Sequence, residues 1–194
     1  MQRIYTLREN AIADGEPVLR KESFEILLKT IEKKRPNRIL EIGVNRGLSG
    51  IAMLLKSPNS TLTGIEIDEE KVEIAKGNYN EFGVEKRAKI FQGDASEIIP
   101  ILTGEYDFIF LDGPKGHYFE YLPHLLSILN KGGVLFADNV LFRGYVGQDK
   151  IAPKRHNTIK HSMENFIRVI TTDKTLKTEI FDVEDGISIT EKIK

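Results

Sequence analysis

The chain has 194 residues, 40% hydrophobic and 29% charged, and its 28 Lys+Arg against 29 Asp+Glu leave a net charge of -1. That length suits one domain of about 100–200 residues with a substantial core, and the interleaving of charged and apolar residues argues against wholesale disorder. Without cysteine, disulfides, thiolate metal sites and Cys nucleophiles are excluded; the balanced charge excludes a globally basic nucleic-acid coat or an acidic tail, but not a local patch.

Residues 1–17 are read as an N-terminal arm, and MQRIYTLREN lacks the apolar run of a signal peptide. Residues 18–34 place Phe24, Leu27, Leu28 and Ile31 on one helical face, and the helix stops before Pro36. Arg38–Ile42 predicts a buried strand, 47–56 a helix, Thr61–Ile67 a second strand, and 69–82 a helix capped by Asp68 and ended by Gly83. Ala88–Phe91 predicts a third strand, Ser96–Leu102 a brief helix, and Tyr106–Leu111 a fourth, almost wholly apolar strand. A helix over 117–130 closes at Asn130-Lys131-Gly132-Gly133, followed by a fifth strand at Val134–Ala137. A loop over 139–156, a helix over about 158–171 and a terminal hairpin, TLKTEIFDV–EDG–ISITEKI, complete the chain. Repeated strand–helix alternation implies an α/β fold with a mostly parallel sheet and helices on both faces. No run approaches the ~20 apolar residues of a membrane span, so a cytoplasmic protein with no membrane partner is expected.

In such sheets ligands bind beyond the carboxyl ends of the strands. The first strand leads into Gly43-Val44-Asn45-Arg46-Gly47, where glycines admit a ligand to the backbone ahead of a helix N-terminus. Asn45 replaces the second glycine of GxGxxG, which suits a nucleoside cofactor without pyrophosphate, and Glu66 falls where an acid takes ribose hydroxyls. The plainer alternative is a tight turn beside a solvated Glu66. Asp112 and the pair Asp138-Asn139 end the fourth and fifth strands, and neighbouring strands lie ~4.8 Å apart, so hard oxygen donors could share Mg²⁺, Mn²⁺ or Ca²⁺. A helix cap and a turn would use the same residues. Lys115, three residues after Asp112, is either a surface lysine or, beside a cation, a general base.

The runs ILEIGVNRG, GIEIDEEKVEIAKGN, GDA, YDFIFLDGPKGHY, GGVLFADNVLFRG and KRHNTI, in that order, resemble the cation-dependent, S-adenosylmethionine-using O-methyltransferases of the caffeoyl-CoA and catechol type. The resemblance spans roughly residues 18–192. It implies a Rossmann-like class I methyltransferase domain with a seven-stranded sheet in the order 3-2-1-4-5-7-6, strand seven antiparallel, and S-adenosylhomocysteine as the spent cofactor. It also implies that Glu41, Gly43 and Ser49 hold the methionine end of the cofactor, Glu66 its ribose, and Asp94 with Ala95 its adenine, with Asp112 at both the cofactor and the metal. Asp112, Asp138 and Asn139 match the family's metal ligands and Lys115 its catalytic lysine. Leu48 and Phe142 stand where many members have Tyr and Trp, Gly113-Pro114 replaces the commoner Ala-Asp, and the N-terminal extension of plant members is expected to be truncated.

Between Arg143 and His161 the chain carries Arg143, Lys150, Lys154, Arg155 and Lys160 against the single acid Asp149, a basic loop read either as a solvated lid or as a site for an anionic substrate. PKRHNTI is similar to bacterial members of the tRNA 5-hydroxyuridine methyltransferase kind, so Arg143, Lys154 and Arg155 are expected to face a tRNA anticodon loop, with a small catechol or a hydroxycinnamoyl-CoA as the alternative. Relatives are often homodimers, which makes the apolar N-terminal helix an expected interface. Two other classes share parts of the pattern. A nicotinamide-dependent dehydrogenase would want the glycine missing at Asn45, and a non-catalytic binding module would lack the Asp112, Lys115, Asp138 and Asn139 set.

Overall fold

The computed structural model describes residues 2–147 and 152–194. Asp149 and Lys150 of the basic segment lie outside the described residues. The elements are α1 (Gln2–Ala13), α2 (Lys21–Lys34), β1 (Arg38–Ile42), α3 (Leu48–Lys56), β2 (Thr61–Glu66), α4 (Glu69–Glu81), β3 (Ala88–Gln92), α5 (Ala95–Ile98), β4 (Tyr106–Leu111), α6 (Tyr118–Ile128), β5 (Leu129–Asp138), α7 (Asn157–Thr172), β6 (Leu176–Phe181) and β7 (Ile187–Lys192). The strands form one sheet, ordered β3-β2-β1-β4-β5-β7-β6. β7 runs antiparallel to both β5 and β6, and every other pairing is parallel. This is the Rossmann-like methyltransferase sheet that the resemblance implied.

Alternation along the central strands divides the core. Ile39, Phe108, Phe110, Val134 and Phe136 point to one face, under α1 to α4. Leu40, Ile42, Ile109, Leu111, Leu135 and Ala137 point to the other, under α5 to α7. Both faces of β1, β4 and β5 are therefore apolar, which is why these strands read as unbroken hydrophobic runs.

Three expectations need correction. The N-terminal arm is mostly helix: α1 buries Ile4 and Ala11 together with Arg8. The Arg8 guanidinium lies 4.1 Å from the Phe24 ring centre and donates to the Leu19 carbonyl at 2.7 Å, so a charged residue occupies a buried position where the pattern needs an apolar one. The predicted 117–130 helix is shorter, and its Asn130–Gly133 closure belongs to a β5 that starts at Leu129 and slips register between its Tyr106 and Phe108 pairings. Asn130 Nδ2, bonded to Asp107 Oδ1 at 2.8 Å, ties this irregular start to β4. Finally, the apolar face of α2 is no free interface, because Phe24, Leu27, Leu28 and Ile31 are buried in the chain's own core. Among the described residues no helix is long and apolar enough to cross a membrane.

Candidate active site

A cavity of about 830 Å³ opens at the carboxyl ends of β1, β2, β3, β4 and β5, where the parallel strands turn towards their helices. Gly43, Ser49, Glu66, Asp94, Ala95, Asp112, Lys115, Asp138 and Asn139 all line it.

On its first side the β1–α3 loop takes left-handed backbone at Gly43 (φ 91), Asn45 (φ 48) and Gly47 (φ 79). Asn tolerates this region better than most residues with side chains, so Asn45 replaces a glycine at low cost. Glu66 joins this loop to the next: its Oε2 accepts from Asn45 N at 2.7 Å and its Oε1 from Asp68 N at 3.0 Å. Asp94 caps α5 through the Ser96 amide at 2.8 Å and hydroxyl at 2.7 Å, and these two bonds hold its carboxyl below the usual range. Extended residues 17–20 run along the mouth, tied down by Asn45 Nδ2 to Pro17 O at 2.9 Å. Glu16 beside them pairs with Lys71 at 2.7 Å and Arg46 at 3.0 Å.

On the second side Lys115 Nζ lies 2.6 Å from Asp112 Oδ1. The buried Tyr118 hydroxyl donates to Leu111 O at 2.9 Å and lies 3.2 Å from Asp138 O, spanning the ends of β4 and β5 beneath both carboxylates. Burial and the neighbouring Asp112 push the Asp138 carboxyl up to about 7, with Lys115 opposing the shift. Two carboxylates crowded in this way, with the Asn139 amide alongside, form an all-oxygen donor set suited to a hard cation. Among the described residues no three His, Cys, Asp or Glu gather as a metal site.

Glu41 departs from its expected place. It does not line the cavity; its carboxyl is wholly buried beside Gly50 and Tyr79, on the sheet face of Ile39. Burial, then repulsion from Asp112 and Glu66, raises it well above the ordinary carboxyl range. Arg143, Lys154 and Arg155 also stand outside the lining, exposed on the loop beyond it. The wall includes residues to which the sequence assigned no role: Arg20, His117, Tyr121 and Asp185. Tyr121, stacked on His117 at 5.7 Å, is one turn beyond Tyr118, so an aromatic i, i+3 pair was the available signal. For Asp185, in a hairpin turn, there was none beyond ordinary turn chemistry.

The O-methyltransferase family model matches residues 16–193. The caffeoyl-CoA O-methyltransferase of Medicago sativa is 29% identical over 178 residues, covering 87% of this chain and 71% of that protein. Among solved structures, the O-methyltransferase TomG from Streptomyces achromogenes, in complex with S-adenosylmethionine, superposes with a TM-score of 0.87 at 22% identity, covering 98% of this chain and 89% of that one. An O-methyltransferase from Bacillus cereus in complex with S-adenosylhomocysteine gives 0.86 at 19%, covering 99% and 91%. The chain belongs to the O-methyltransferase family, the S-adenosylmethionine-dependent enzymes of the caffeoyl-CoA O-methyltransferase type.

Proposed function

We propose that this chain is a single cytoplasmic catalytic domain that methylates a hydroxyl held beside a divalent cation, and that its substrate is 5-hydroxyuridine at the wobble position of tRNA, giving 5-methoxyuridine. The observation that carries the reading is the meeting of Asp112, Lys115, Asp138 and Asn139 on one wall of a cavity whose other wall is glycine backbone with Glu66 and Asp94.

The first wall fits the methyl donor. The left-handed Gly43 opens the backbone, Ser49 stands at the start of α3 for the methionine end, Glu66 takes the ribose hydroxyls, and Asp94 with Ala95 borders the adenine. Glu41 acts from behind, as a buried neutral group under the loop, rather than as a ligand. Asp112, Asp138 and Asn139 would hold Mg²⁺, Mn²⁺ or Ca²⁺, which when bound would supply Lewis acidity to the substrate hydroxyl. Lys115 Nζ would accept the hydroxyl proton as the neutral amine, having first left its Asp112 pair and released its own ammonium proton to solvent. Tyr118 keeps the two carboxylates in place by spanning their strand ends. Alignment of donor and acceptor in one closed site contributes several kcal/mol, up to about 7–11 in ideal cases.

The exposed cations Arg143, Lys154 and Arg155 favour the tRNA reading. A second reading, a small catechol or a hydroxycinnamoyl-CoA, is favoured by the names of the curated relatives. One assay separates them: protein with S-adenosylmethionine and Mg²⁺, offered tRNA from a strain lacking the protein, catechol or caffeoyl-CoA, with mass spectrometry of the products. Methylation of the tRNA alone is expected; methylation of a small substrate alone overturns the tRNA reading. Undiminished turnover in excess EDTA overturns the cation.

A further inference from the structure

The turn between β6 and β7, Val183–Gly186, makes two sets of contacts. Glu184 caps α2, its Oε2 accepting from Ser23 Oγ at 2.5 Å and its Oε1 from Glu22 N at 3.2 Å. Asp185 reaches the other way. Its Oδ1 accepts from Arg143 N at 3.0 Å, its carbonyl from Leu141 N at 2.9 Å, and the Gly186 carbonyl from Val140 N at 3.0 Å. Its Oδ2 lies 3.8 Å from Arg20, and the residue lines the cavity.

The segment these bonds hold is an unusual one. Asn139 (φ 57), Phe142 (φ 42) and Arg143 (φ 57) all take left-handed backbone, which residues with side chains avoid unless their surroundings impose it. Gly186 (φ 82) packs so closely on Leu141 that a side chain would not fit there. The turn thus leaves β5 directly after Asp138, carries Asn139, and is bonded on its far side by one carboxylate and two carbonyls of the hairpin tip.

We infer that Asp185 is a positioning residue for the reaction: by fixing the Arg143 amide it holds the 139–143 turn, and with it Asn139 and Asp138, against Asp112. The role of those ligands rests on the proposed function; the holding of the turn does not. A carboxylate serving only to stabilise its own hairpin would bond that hairpin's amides, whereas this one bonds a separate segment on the cavity wall.

The test compares wild type, Asp185→Ala and Asp185→Asn by amide hydrogen exchange, calorimetric titration with Mn²⁺, and calorimetric titration with S-adenosylmethionine. Asp185→Ala is expected to speed exchange across 140–143 while β7 stays protected, and to weaken Mn²⁺ by about 10–100-fold, the usual cost of losing a group that orients a ligand. S-adenosylmethionine affinity stays within about twofold, and Asp185→Asn, which keeps an acceptor oxygen, restores most of the loss. Unchanged exchange at 140–143 in Asp185→Ala overturns the inference, as does an Asp185→Asn variant as impaired as the alanine. Equal loosening of β7, or an equal loss of S-adenosylmethionine binding, overturns it in favour of a general structural role. If the wild type binds no Mn²⁺ the cation reading fails on its own, and the exchange comparison still decides whether Asp185 holds the turn.

Discussion

Asp138 shows how one residue carries both the chemistry and a cost in stability. Its carboxyl titrates in the fold at about 7 against an ordinary 3.8, because it is buried next to Asp112. Between those values the folded chain keeps a proton that the unfolded chain releases, so this group stabilises the fold at low pH and that contribution fades as pH rises through about 7. In EDTA, Asp138→Asn should be more stable than wild type at pH about 8 by on the order of 2–4 kcal/mol, and the advantage should shrink towards pH about 4. Urea melts at both pH values check this; parallel pH profiles would show that the carboxyl is not protonated in the fold. Asp138→Ala should lower turnover by at least about 100-fold while S-adenosylmethionine affinity changes little, since the loss falls on the acceptor side. The aspartates and Lys115 were legible as candidates from their places at predicted strand ends. The burial of Glu41 was not, because alternation along β1 assigns it a face but not what covers that face.

At the scale of elements, the β1–α3 loop depends on Gly43. A Cβ there would stand 2.5 Å from the Asp112 carbonyl oxygen, and φ is 91, so neither the space nor the backbone accepts a side chain. Gly43→Ala should cost about 2 kcal/mol or more and displace the end of β4, lowering both S-adenosylmethionine affinity and turnover. Chemical denaturation and calorimetry of the variant test it, and an alanine variant with wild-type stability would show that the two loops are not in close contact. The glycine was visible as a turn residue; its contact with Asp112 required the β1–β4 pairing. Helix α1 escaped the hydrophobic pattern for a comparable reason: Arg8 is buried by an aromatic ring and a carbonyl that belong to other parts of the chain.

For the whole molecule, the balanced charge hides an uneven distribution. Acids gather at the cavity, while Lys154, Arg155 and Lys160 sit around the start of α7. If the substrate is tRNA, its KM should rise steeply between about 50 and 200 mM salt, as counterions compete for phosphate contacts, and Lys154→Ala with Arg155→Ala should flatten that dependence. Salt-independent kinetics on tRNA would remove these cations from recognition. The Phe136 ring of β5, its centre 6.3 Å from that of Phe108 and 5.7 Å from that of Phe110, joins β5 to β4 on the face of α1 to α4. Phe136→Ala should cost about 3–5 kcal/mol in a urea melt.

By itself the sequence determined the α/β class, the strand-end acids, the exclusion of thiolate ligands that follows from having no cysteine, and the family motifs in their order. These depend on local periodicity, turn chemistry and composition, which are properties of neighbouring residues. Only the tertiary structure decided that Glu41 lies behind the cavity, that residues 17–20 line its mouth, and that Asp185 reaches across to the turn carrying Asn139. Each of these is a contact between segments far apart in the chain, and it exists only once the sheet order has brought β1, β5 and the terminal hairpin together.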